Sequence, residues 1–426
     1  MSGSRLTTLI FVGMILGIAV GYACSITWPD PQTAKEIAGY IALISDIFLR
    51  LIKMIIAPLV FSTLVVGIAH MGDTAAVGRV GGKALLWFVG ASFCSLMLGL
   101  VLVNLLQPGH NLNLPLPDVG AGTGLKAASL SLKEFVTHLV PKSAVEAMAN
   151  NEILQIVVFS IFFGVALAAL GEKGAFLAKG IEGLADVMLK ITGYVMMFAP
   201  VAVFAAIAAT ITTQGIGVLV TYGKFMLMFY FGLFCLWVLL MGVGALLVGT
   251  GGISRLVNLI KEPFVLAFST ASSEAAYPKL LSNLEAFGVP NKITSFVLPM
   301  GYSFNLDGSM MYCTFAVMFI AQAYNIPLTW AQQLTMLLLL MVTSKGMAGV
   351  PRASLVVISA TLTQFNIPEA GLLLIIGIDQ FLDMGRSATN VLGNSIATVA
   401  VAKWEGQLTQ SDQRLDHVGT APLPAE

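Results

Sequence analysis

A stripe of polar residues near the C-terminal end of the chain could bind a small charged solute. Its members are Asp379, Asp383, Arg386, Ser387, Asn390 and Asn394. Their spacing places them on one face of a helix, with apolar residues on the other faces. The surrounding stretch, 371–403, is long enough to cross a bilayer as a helix, since about 20 apolar residues suffice. The stripe therefore places charges inside a membrane-spanning segment.

Two Asp residues and one Arg would be costly if they faced lipid. Each costs roughly 2.5–3.5 kcal/mol at mid-bilayer, so the three together would cost on the order of 8 kcal/mol. They must face protein, water, ions or a ligand. One hypothesis is a structural lock in which Asp383 pairs with Arg386. The other, which the usual role of intramembrane charges favours, is a site for a small zwitterion or dicarboxylate. In that site Asp383 binds an ammonium group and Arg386 binds a carboxylate in bidentate fashion.

The composition indicates a polytopic membrane protein. Of 426 residues, 57% are hydrophobic and only 10% are charged, whereas soluble domains carry about 25% charged residues. The net charge of zero offers no basic surface for nucleic acid. The four Cys residues lie at unrelated spacings, which indicates neither a metal site nor a disulfide framework. No nucleophile–base pair accompanies the paired Asp residues, so the sequence predicts no enzyme.

Six apolar stretches precede residue 250, and runs this long and apolar are predicted to cross the bilayer as helices. They cover about 7–28, 42–68, 84–107, 150–170, 184–210 and 218–249. The basic residues between them fall on one side of the membrane if the N-terminus is cytoplasmic. These residues are Arg5, Arg79, Lys83, Lys173, Lys179, Arg255 and Lys261. The positive-inside rule then predicts a cytoplasmic N-terminus.

Two later stretches, 256–290 and 333–366, are apolar but are interrupted by small residues followed by Pro. Each arm is too short to cross the bilayer alone, so we expect two re-entrant helical hairpins. Each hairpin is followed by a spanning segment with a polar interruption. The first hairpin starts from the cytoplasmic side and the second from outside. Such an inverted repeat points to the binding site of a secondary transporter.

The segment from Asn305 to Gly308 places an amide, a carboxylate and a Gly inside a predicted helix. Because Asp and Gly are poor helix formers, we expect the helix to unwind there. Free carbonyl groups together with Asn305 and Asp307 would make an oxygen-rich pocket for a hard cation such as Na⁺. A simple helix kink with a capped Asp307 is the alternative.

The tip of the first hairpin carries Ser272 and Ser273. Hydroxyl groups and free N–H groups at the N-terminus of a half-helix attract carboxylates, although a flexible Ser-rich loop is the alternative. Glu274 beside the tip is either a proton carrier or an acid that favours the helix dipole. The sequence favours the second role.

Four motifs in this order resemble the glutamate transporter family, and most closely its bacterial dicarboxylate/amino-acid:cation symporters. They are Ser272-Ser273-Glu274, Asn305-Leu306-Asp307-Gly308-Ser309, Gly349-Val350-Pro351 and the stripe from Asp379 to Asn390. The resemblance covers residues 5–405. It implies an all-α polytopic membrane protein with eight transmembrane helices and two re-entrant hairpins, arranged as inverted repeats and assembled as a homotrimer that works as an elevator.

The same resemblance implies a division of the chain into three parts. Within 1–255, spans one, two, four and five would form a scaffold, whereas spans three and six would move with the substrate. Residues 256–403 would form the transport core, and residues 404–426 would form a disordered cytoplasmic tail.

The resemblance also implies roles for individual residues. Arg386 would bind the side-chain carboxylate of the substrate, and Asp383 would bind its α-amino group. The other substrate-binding residues would be Ser272, Ser273, Ser309, Ser387 and Asn390, with the backbone of Gly349 and Val350 as the outer gate. The cation-binding residues would be Ser92, Gly301, Ser303, Asn305, Asp307, Ser344, Asn390 and Asn394, with Na⁺ expected at Asp307 and Asn305.

Some residues depart from the sodium-coupled pattern of this family. Asn394 stands where that pattern has an Asp, and Phe88 and Ala91 stand at positions of a Tyr and a Thr, with only Ser92 kept. Fewer oxygen ligands weaken Na⁺ sites, so proton coupling or mixed coupling is plausible. Asp383 favours glutamate or aspartate, because a C4-dicarboxylate would leave this buried anion unpaired.

The sequence therefore predicts a symporter of the cytoplasmic (inner) membrane that imports L-glutamate and L-aspartate with H⁺ and/or Na⁺. Both termini would be cytoplasmic, lipid would surround the protein, and no cofactor beyond the co-transported cation is expected. The alternatives are a C4-dicarboxylate or neutral amino-acid carrier and, from another class, an anion channel.

Overall fold

The computed structural model describes residues 3–69, 74–110, 116, 140–214, 222–344, 353–376 and 378–409, and the regular structure of these residues is entirely helical. In chain order the helices are α1 Gly3–Thr27, α2 Pro31–Ala69, α3 Thr74–Leu106, α4 Ala144–Ala149, α5 Ile153–Ala169, α6 Ala175–Met196, α7 Ala199–Gln214, α8 Gly223–Thr270, α9 Ser273–Phe287, α10 Asn291–Phe304, α11 Asp307–Ala323, α12 Trp330–Thr343, α13 Ala353–Gln364, α14 Leu373–Ile376 and α15 Asp379–Trp404. Short 3₁₀ turns cover Gly171–Gly174 and Glu369–Leu372.

Long apolar helices dominate the described residues. Five spans are long and apolar enough to cross a membrane, namely those in α1, α2, α3 and α8 and the α10–α11 pair, and α6 with α7 gives a sixth. Large apolar side chains lie on the outer surface, as shown by the exposed fractions of Ile15 (62%), Leu105 (74%) and Leu246 (88%). A soluble protein rarely exposes this much apolar surface. The prediction of an all-α polytopic membrane protein is confirmed.

The predicted count of eight spans also needs α5 and α15, which length and composition alone do not identify. Helix α5 has only 17 residues. Helix α15 has 26 residues, but Asp379, Asp383 and Arg386 lower the hydropathy of its first half. Helix α15 is almost entirely buried among other helices, so the charges of its first half are shielded from the surroundings, whereas α5 carries no charge.

The fifth predicted span, at 184–210, is bent rather than continuous. Two helices, α6 and α7, cover this region, and their axes differ by 54°. The break lies at residues 197–198, just before Pro200. Proline has no N–H to donate to the carbonyl of the residue four positions earlier, so a continuous helix loses a hydrogen bond there.

The first hairpin is formed by the end of α8 and by α9. The chain turns at Ala271, whose φ of 50° is left-handed, and Ser272 caps α9. Helix α8 continues without a gap from the predicted sixth span, and the non-helical Gly249 (φ 76°) marks the kink between the two parts. Helices α12 and α13 are the arms of the second predicted hairpin. The predicted outer gate at Gly349 and Val350 lies outside the described residues.

The helices contact each other in two sets. Helices α1, α2, α5, α6 and α7 pack mainly on one another, whereas α3, α8, α9, α10, α11 and α13 pack around α15 or its neighbours. Contacts of α2 with α9 and α10 join the two sets. The division into a static scaffold and a moving core stays a prediction.

The first residues of the predicted tail are ordered by contacts. The side chain of Glu405, only 2% exposed, accepts hydrogen bonds from Arg79 Nε at 3.0 Å and forms a salt bridge with Lys83 Nζ at 2.6 Å. The Thr409 N–H donates to the Gly288 carbonyl at 3.1 Å. The prediction of disorder is therefore wrong for residues 404–409, and the rest of the tail lies outside the described residues.

Candidate substrate and cation site

Arg386 lies at the centre of the polar stripe and is 96% buried, with an exposed fraction of 4%. Its Nε donates to Asp383 Oδ1 at 2.7 Å, and its Nη1 donates to Asp379 Oδ1 at 3.3 Å. All three residues come from the first turns of α15, where spacings of three and seven residues return to the same face. A buried guanidinium needs such partners, because an unpaired buried charge is strongly destabilising.

Tyr312 of α11 supports the same group from another helix. The Arg386 Cζ atom lies 4.6 Å from the centre of the Tyr312 ring, within the range of a cation–π interaction. The Tyr312 hydroxyl donates to Asp379 Oδ1 at 2.9 Å. The sequence analysis missed Tyr312, which lies in a helix buried on all sides, so no apolar–polar periodicity distinguishes it.

The ion pairs around Arg386 do not use all of the polar atoms. Arg386 Nη2 and Asp383 Oδ2 form no hydrogen bond with any described residue. The Asp383 side chain is also 27% exposed, whereas that of Asp379 is 5% exposed. The two alternatives that the sequence left open, a structural ion pair and a binding site, are therefore compatible. The ion pair holds Arg386 in place and leaves Arg386 Nη2 as a donor and Asp383 Oδ2 as an acceptor.

Asn390 joins the stripe to the start of α11. Its Oδ1 accepts a hydrogen bond from the Gly308 N–H at 2.9 Å, and its Nδ2 donates to Ser309 Oγ at 3.3 Å. A Cβ atom on Gly308 would contact the backbone oxygen of Arg386, so only glycine lets the two helices approach this closely. Ser387 Oγ donates to Asp383 Oδ1 at 3.1 Å. These predicted site residues are brought together.

The two serines of the first hairpin lie at the start of α9, but no described hydrogen bond joins them to the residues around Arg386. Ser272 is the N-cap of α9, and its Oγ accepts a hydrogen bond from the Ala275 N–H at 3.3 Å. Helix α9 packs against α15. Neither Ser272 nor Ser273 forms a hydrogen bond with Arg386 or Asn390 within the described residues, so their role as carboxylate ligands stays a prediction.

The helix unwinds at Asn305 and Leu306, as predicted. Helix α10 ends at Phe304 and α11 begins at Asp307, so the backbone of the two residues between them is not helical. Asp307 is fully buried. Its Oδ1 accepts a hydrogen bond from Ser95 Oγ at 3.2 Å, and its Oδ2 accepts one from Asn305 Nδ2 at 3.1 Å.

Three buried polar atoms in or near the unwound segment form no hydrogen bond with a described residue: Asn305 Oδ1, Asn394 Nδ2 and Ser303 Oγ. Asn394 does accept a hydrogen bond through Oδ1 from Asn305 Nδ2 at 3.2 Å. An unsatisfied buried polar atom costs about 1–3 kcal/mol. A cation bound to the Asn305 and Ser303 oxygens would remove part of this cost, so the residues present fit a hard cation.

Two glycines allow the polar side chains around Asp307 to lie close together. A Cβ atom on Gly301 would contact Asn394 Oδ1, and one on Gly393 would contact Asp307 Oδ2. The donors are a carboxylate, amide oxygens and a hydroxyl, which suit Na⁺ rather than a transition metal. The part of the chain that the structure describes holds no group of three His, Cys, Asp or Glu residues suited to a metal ion.

The remaining predicted cation ligands differ in their positions. Ser92 Oγ donates to the Phe304 carbonyl at 3.4 Å, next to the unwound segment. Ser344 Oγ instead donates to Met341 of its own helix at 3.2 Å. The sequence analysis missed Ser95, although its spacing of three residues from Ser92 on α3 was a usable signal.

The whole chain is similar to known membrane carriers. A family model for the sodium:dicarboxylate symporter family matches residues 6–404. A "Proton/sodium-glutamate symport protein" from Bacillus caldotenax is 43% identical over 407 residues, covering 94% of this chain and 94% of the relative. The protein of the same name from Geobacillus stearothermophilus has equal identity and coverage. A "C4-dicarboxylate transport protein" from Citrifermentans bemidjiense is 41% identical over 406 residues, covering 94% of this chain and 90% of the relative.

Proposed function

Because the chain belongs to the sodium:dicarboxylate symporter family, we propose that it imports L-glutamate and L-aspartate by secondary-active symport with H⁺ and/or Na⁺. The observation that carries this proposal is the incomplete pairing of Asp383 and Arg386. Asp383 Oδ2 is an acceptor for the ammonium group of an amino acid, and Arg386 Nη2 is a donor for its side-chain carboxylate. A zwitterion with a second carboxylate matches both.

A C4-dicarboxylate is the second candidate, since one relative is named as a carrier of such compounds. A dicarboxylate has no cation to offer to Asp383. It would place a second negative charge beside a carboxylate that already shares its one guanidinium partner with Asp379. Charge repulsion then weakens binding, and for this reason we place glutamate and aspartate first.

Cation binding at Asp307 would be coupled to substrate binding through α11. The unwound segment precedes α11, and Asn390 binds the first turn of that helix. A cation that orders Asn305 and Asp307 therefore also orders the Gly308–Asn390 contact beside Arg386. Coupling of this kind is reciprocal, so substrate strengthens cation binding by the same factor.

The quaternary and cellular parts of the proposal rest on family membership. We infer a homotrimer in the inner membrane, with cytoplasmic termini and an elevator motion of the helices around α15 against the set containing α2. Lipid and neighbouring protomers would cover the exposed apolar side chains. The proposal assigns the protein to transport and to no enzymatic reaction, in keeping with its family.

Uptake of radiolabelled glutamate into proteoliposomes tests the function. An inward Na⁺ gradient and an inward pH gradient are imposed separately, and unlabelled aspartate, succinate and serine compete. Accumulation above equilibrium that aspartate suppresses at lower concentration than succinate supports the proposal. Preferred inhibition by succinate or serine would favour the rival carriers, and a linear flux without accumulation would favour a channel.

A further inference from the structure

A narrow cavity lies where the first hairpin meets α2 and α5. It is a gap too narrow to hold a water molecule. It is lined by Ile56, Val60, Ile153, Glu274, Tyr277, Pro299 and Tyr302. The cavity thus joins the helix set around α15, through α9 and α10, to the set containing α2 and α5. It is separate from the Arg386 site and from the Asp307 cluster.

The polar groups of the cavity are a carboxyl group and two tyrosine hydroxyls. Tyr277 and Tyr302 are 2% and 4% exposed. Neither hydroxyl forms a hydrogen bond of normal geometry with a described residue, and Thr63 offers Tyr277 at most a weak one. Their rings contact edge to face, with centroids 5.4 Å apart. Thr63 of α2 is a polar neighbour of Tyr277, but its own hydroxyl donates to the Leu59 carbonyl at 2.7 Å. Two tyrosines with unsatisfied hydroxyls therefore line the same gap as Glu274.

Glu274 has no salt bridge to any described residue. Lys53 of α2 attracts it electrostatically from beyond salt-bridge distance. The residues that α2 and α5 contribute to the cavity wall, Ile56, Val60 and Ile153, are aliphatic. Helices α6, α8 and α15 add no residue to the lining. A charged carboxylate facing this wall is unfavourable because Glu274, which is only partly exposed, has lost much of its water without gaining a salt bridge to a described residue.

A protonated carboxyl group fits the same surroundings. It has one O–H donor and a carbonyl acceptor, and a tyrosine hydroxyl can both donate and accept. Tyr277 and Tyr302 could then satisfy the acid, and the acid could satisfy them. Since Ser272 already caps α9, the helix N-terminus does not depend on Glu274 for its cap.

We propose that Glu274, together with Tyr277 and Tyr302, is the binding site for the co-transported proton. The carboxyl group takes up a proton on one side of the membrane, crosses the apolar surface of α2 and α5 as a neutral acid, and releases the proton on the other side. The charged carboxylate is attracted to Lys53 and cannot cross this apolar surface. This inference rests on the proposed symport function and names the residue that gives it proton coupling.

The test compares the wild type with Glu274→Gln and Glu146→Gln in proteoliposomes. Glu146 is exposed on α4 and does not line the cavity, so its variant is a matched control. An inward pH gradient, an inward Na⁺ gradient and glutamate homoexchange are measured separately. A pH-sensitive dye trapped in the vesicles reports proton entry.

For the wild type and Glu146→Gln, a pH gradient of one unit should raise accumulation by up to about tenfold per coupled proton. For Glu274→Gln we expect neither this accumulation nor glutamate-dependent proton entry, whereas homoexchange continues. Proton-driven accumulation by Glu274→Gln equal to that of the wild type overturns the inference. Wild-type accumulation that is driven by a Na⁺ gradient alone also overturns the inference, although it leaves the proposed symport function intact.

If Glu274→Gln is inactive even in homoexchange, the variant Tyr302→Phe provides the test of the proton site. This variant keeps the carboxyl group and removes one hydroxyl that can donate to its charged form. The pH midpoint of proton-driven uptake should then move upward by about half a unit or more. An unchanged midpoint overturns the inference. Failure of the wild type to accumulate glutamate under either gradient would instead overturn the function on which the inference rests.

Discussion

The guanidinium carbon of Arg386 lies 4.6 Å from the centre of the Tyr312 ring, and the hydroxyl of that ring binds Asp379. Tyr312 belongs to α11, which begins at Asp307, whereas Arg386 and Asp379 belong to α15. One helix therefore carries both the carboxylate of the proposed cation site and the ring that supports the guanidinium proposed to bind the substrate. This gives a physical route from cation binding to substrate affinity.

Replacing Tyr312 with Phe should weaken glutamate binding without unfolding the protein. The ring still packs on Arg386, but Asp379 loses a hydrogen bond and holds the guanidinium less firmly. We expect about a tenfold higher apparent KM for glutamate, measured by initial uptake rates. Tyr40→Phe, at a side chain 80% exposed, is the control. An unchanged KM would mean that the hydroxyl does not position Arg386.

Replacing Asp383 with Ser should affect amino-acid uptake far more than succinate uptake. The variant removes the acceptor for the ammonium group and also relieves the negative charge that repels a dicarboxylate. We expect at least about a hundredfold loss of glutamate kcat/KM, the scale of a lost charged hydrogen bond. Asp186→Ser, at an exposed position on α6, controls for expression. Equal losses of glutamate and succinate uptake would contradict the role of Asp383.

Replacing Asn394 with Asp should strengthen Na⁺ binding. The Nδ2 atom of Asn394 is buried without a partner, and a carboxylate would add negative charge beside Asp307 and Asn305. Cation affinity rises with the number of charged oxygen ligands. We expect half-maximal uptake at a lower Na⁺ concentration, and the opposite shift for Asp307→Asn. Unaltered Na⁺ dependence in both variants would place the cation elsewhere.

Replacing Gly393 with Ala should disrupt cation-dependent uptake by steric overlap. The new Cβ atom would contact Asp307 Oδ2 and force this carboxylate out of the cluster. Overpacking of this kind typically lowers the free energy of unfolding by about 1–3 kcal/mol. Gly90→Ala is a matched control, because a Cβ atom there meets no other atom within 4 Å. Uptake that survives in both variants would show that the cluster tolerates displacement of Asp307.

Glu405 should make stability depend on pH in the acidic range. Burial raises the pKa of its carboxyl group, but hydrogen bonds from Lys83 and Arg79 outweigh this effect and lower the pKa below the usual value. A lowered folded-state pKa contributes stability that is complete above the unfolded pKa of about 4.3 and is lost as pH falls through the folded value.

The melting temperature in detergent checks this expectation. The wild type should melt above Glu405→Gln near neutral pH, and the gap should close as pH falls below about 4. Glu146→Gln, at an exposed carboxyl group, should follow the wild type throughout. A gap that stays constant with pH would mean that the charge of Glu405 does not stabilise the end of α15.

Much of the membrane architecture was predictable because its signals are local. Apolar length identified most spans, and the poor helix formers at Asn305–Gly308 identified the unwound segment that the structure confirms. The break between α6 and α7 was missed, since the apolar pattern continues across it and only Pro200 hints at the bend. The order of residues 404–409 was missed as well, because it depends on partners on α3 and near Gly288 that are distant in sequence.

The sequence by itself determined that this chain is membrane-embedded and carries a charged stripe on a helix near its C-terminal end, since composition and helical spacing are properties of consecutive residues. Only the tertiary structure decided which atoms of Arg386 and Asp383 are already used, which ring supports them and which hydroxyls surround Glu274. Those contacts join side chains from helices far apart in the chain, and no spacing along a single helix encodes how such helices meet.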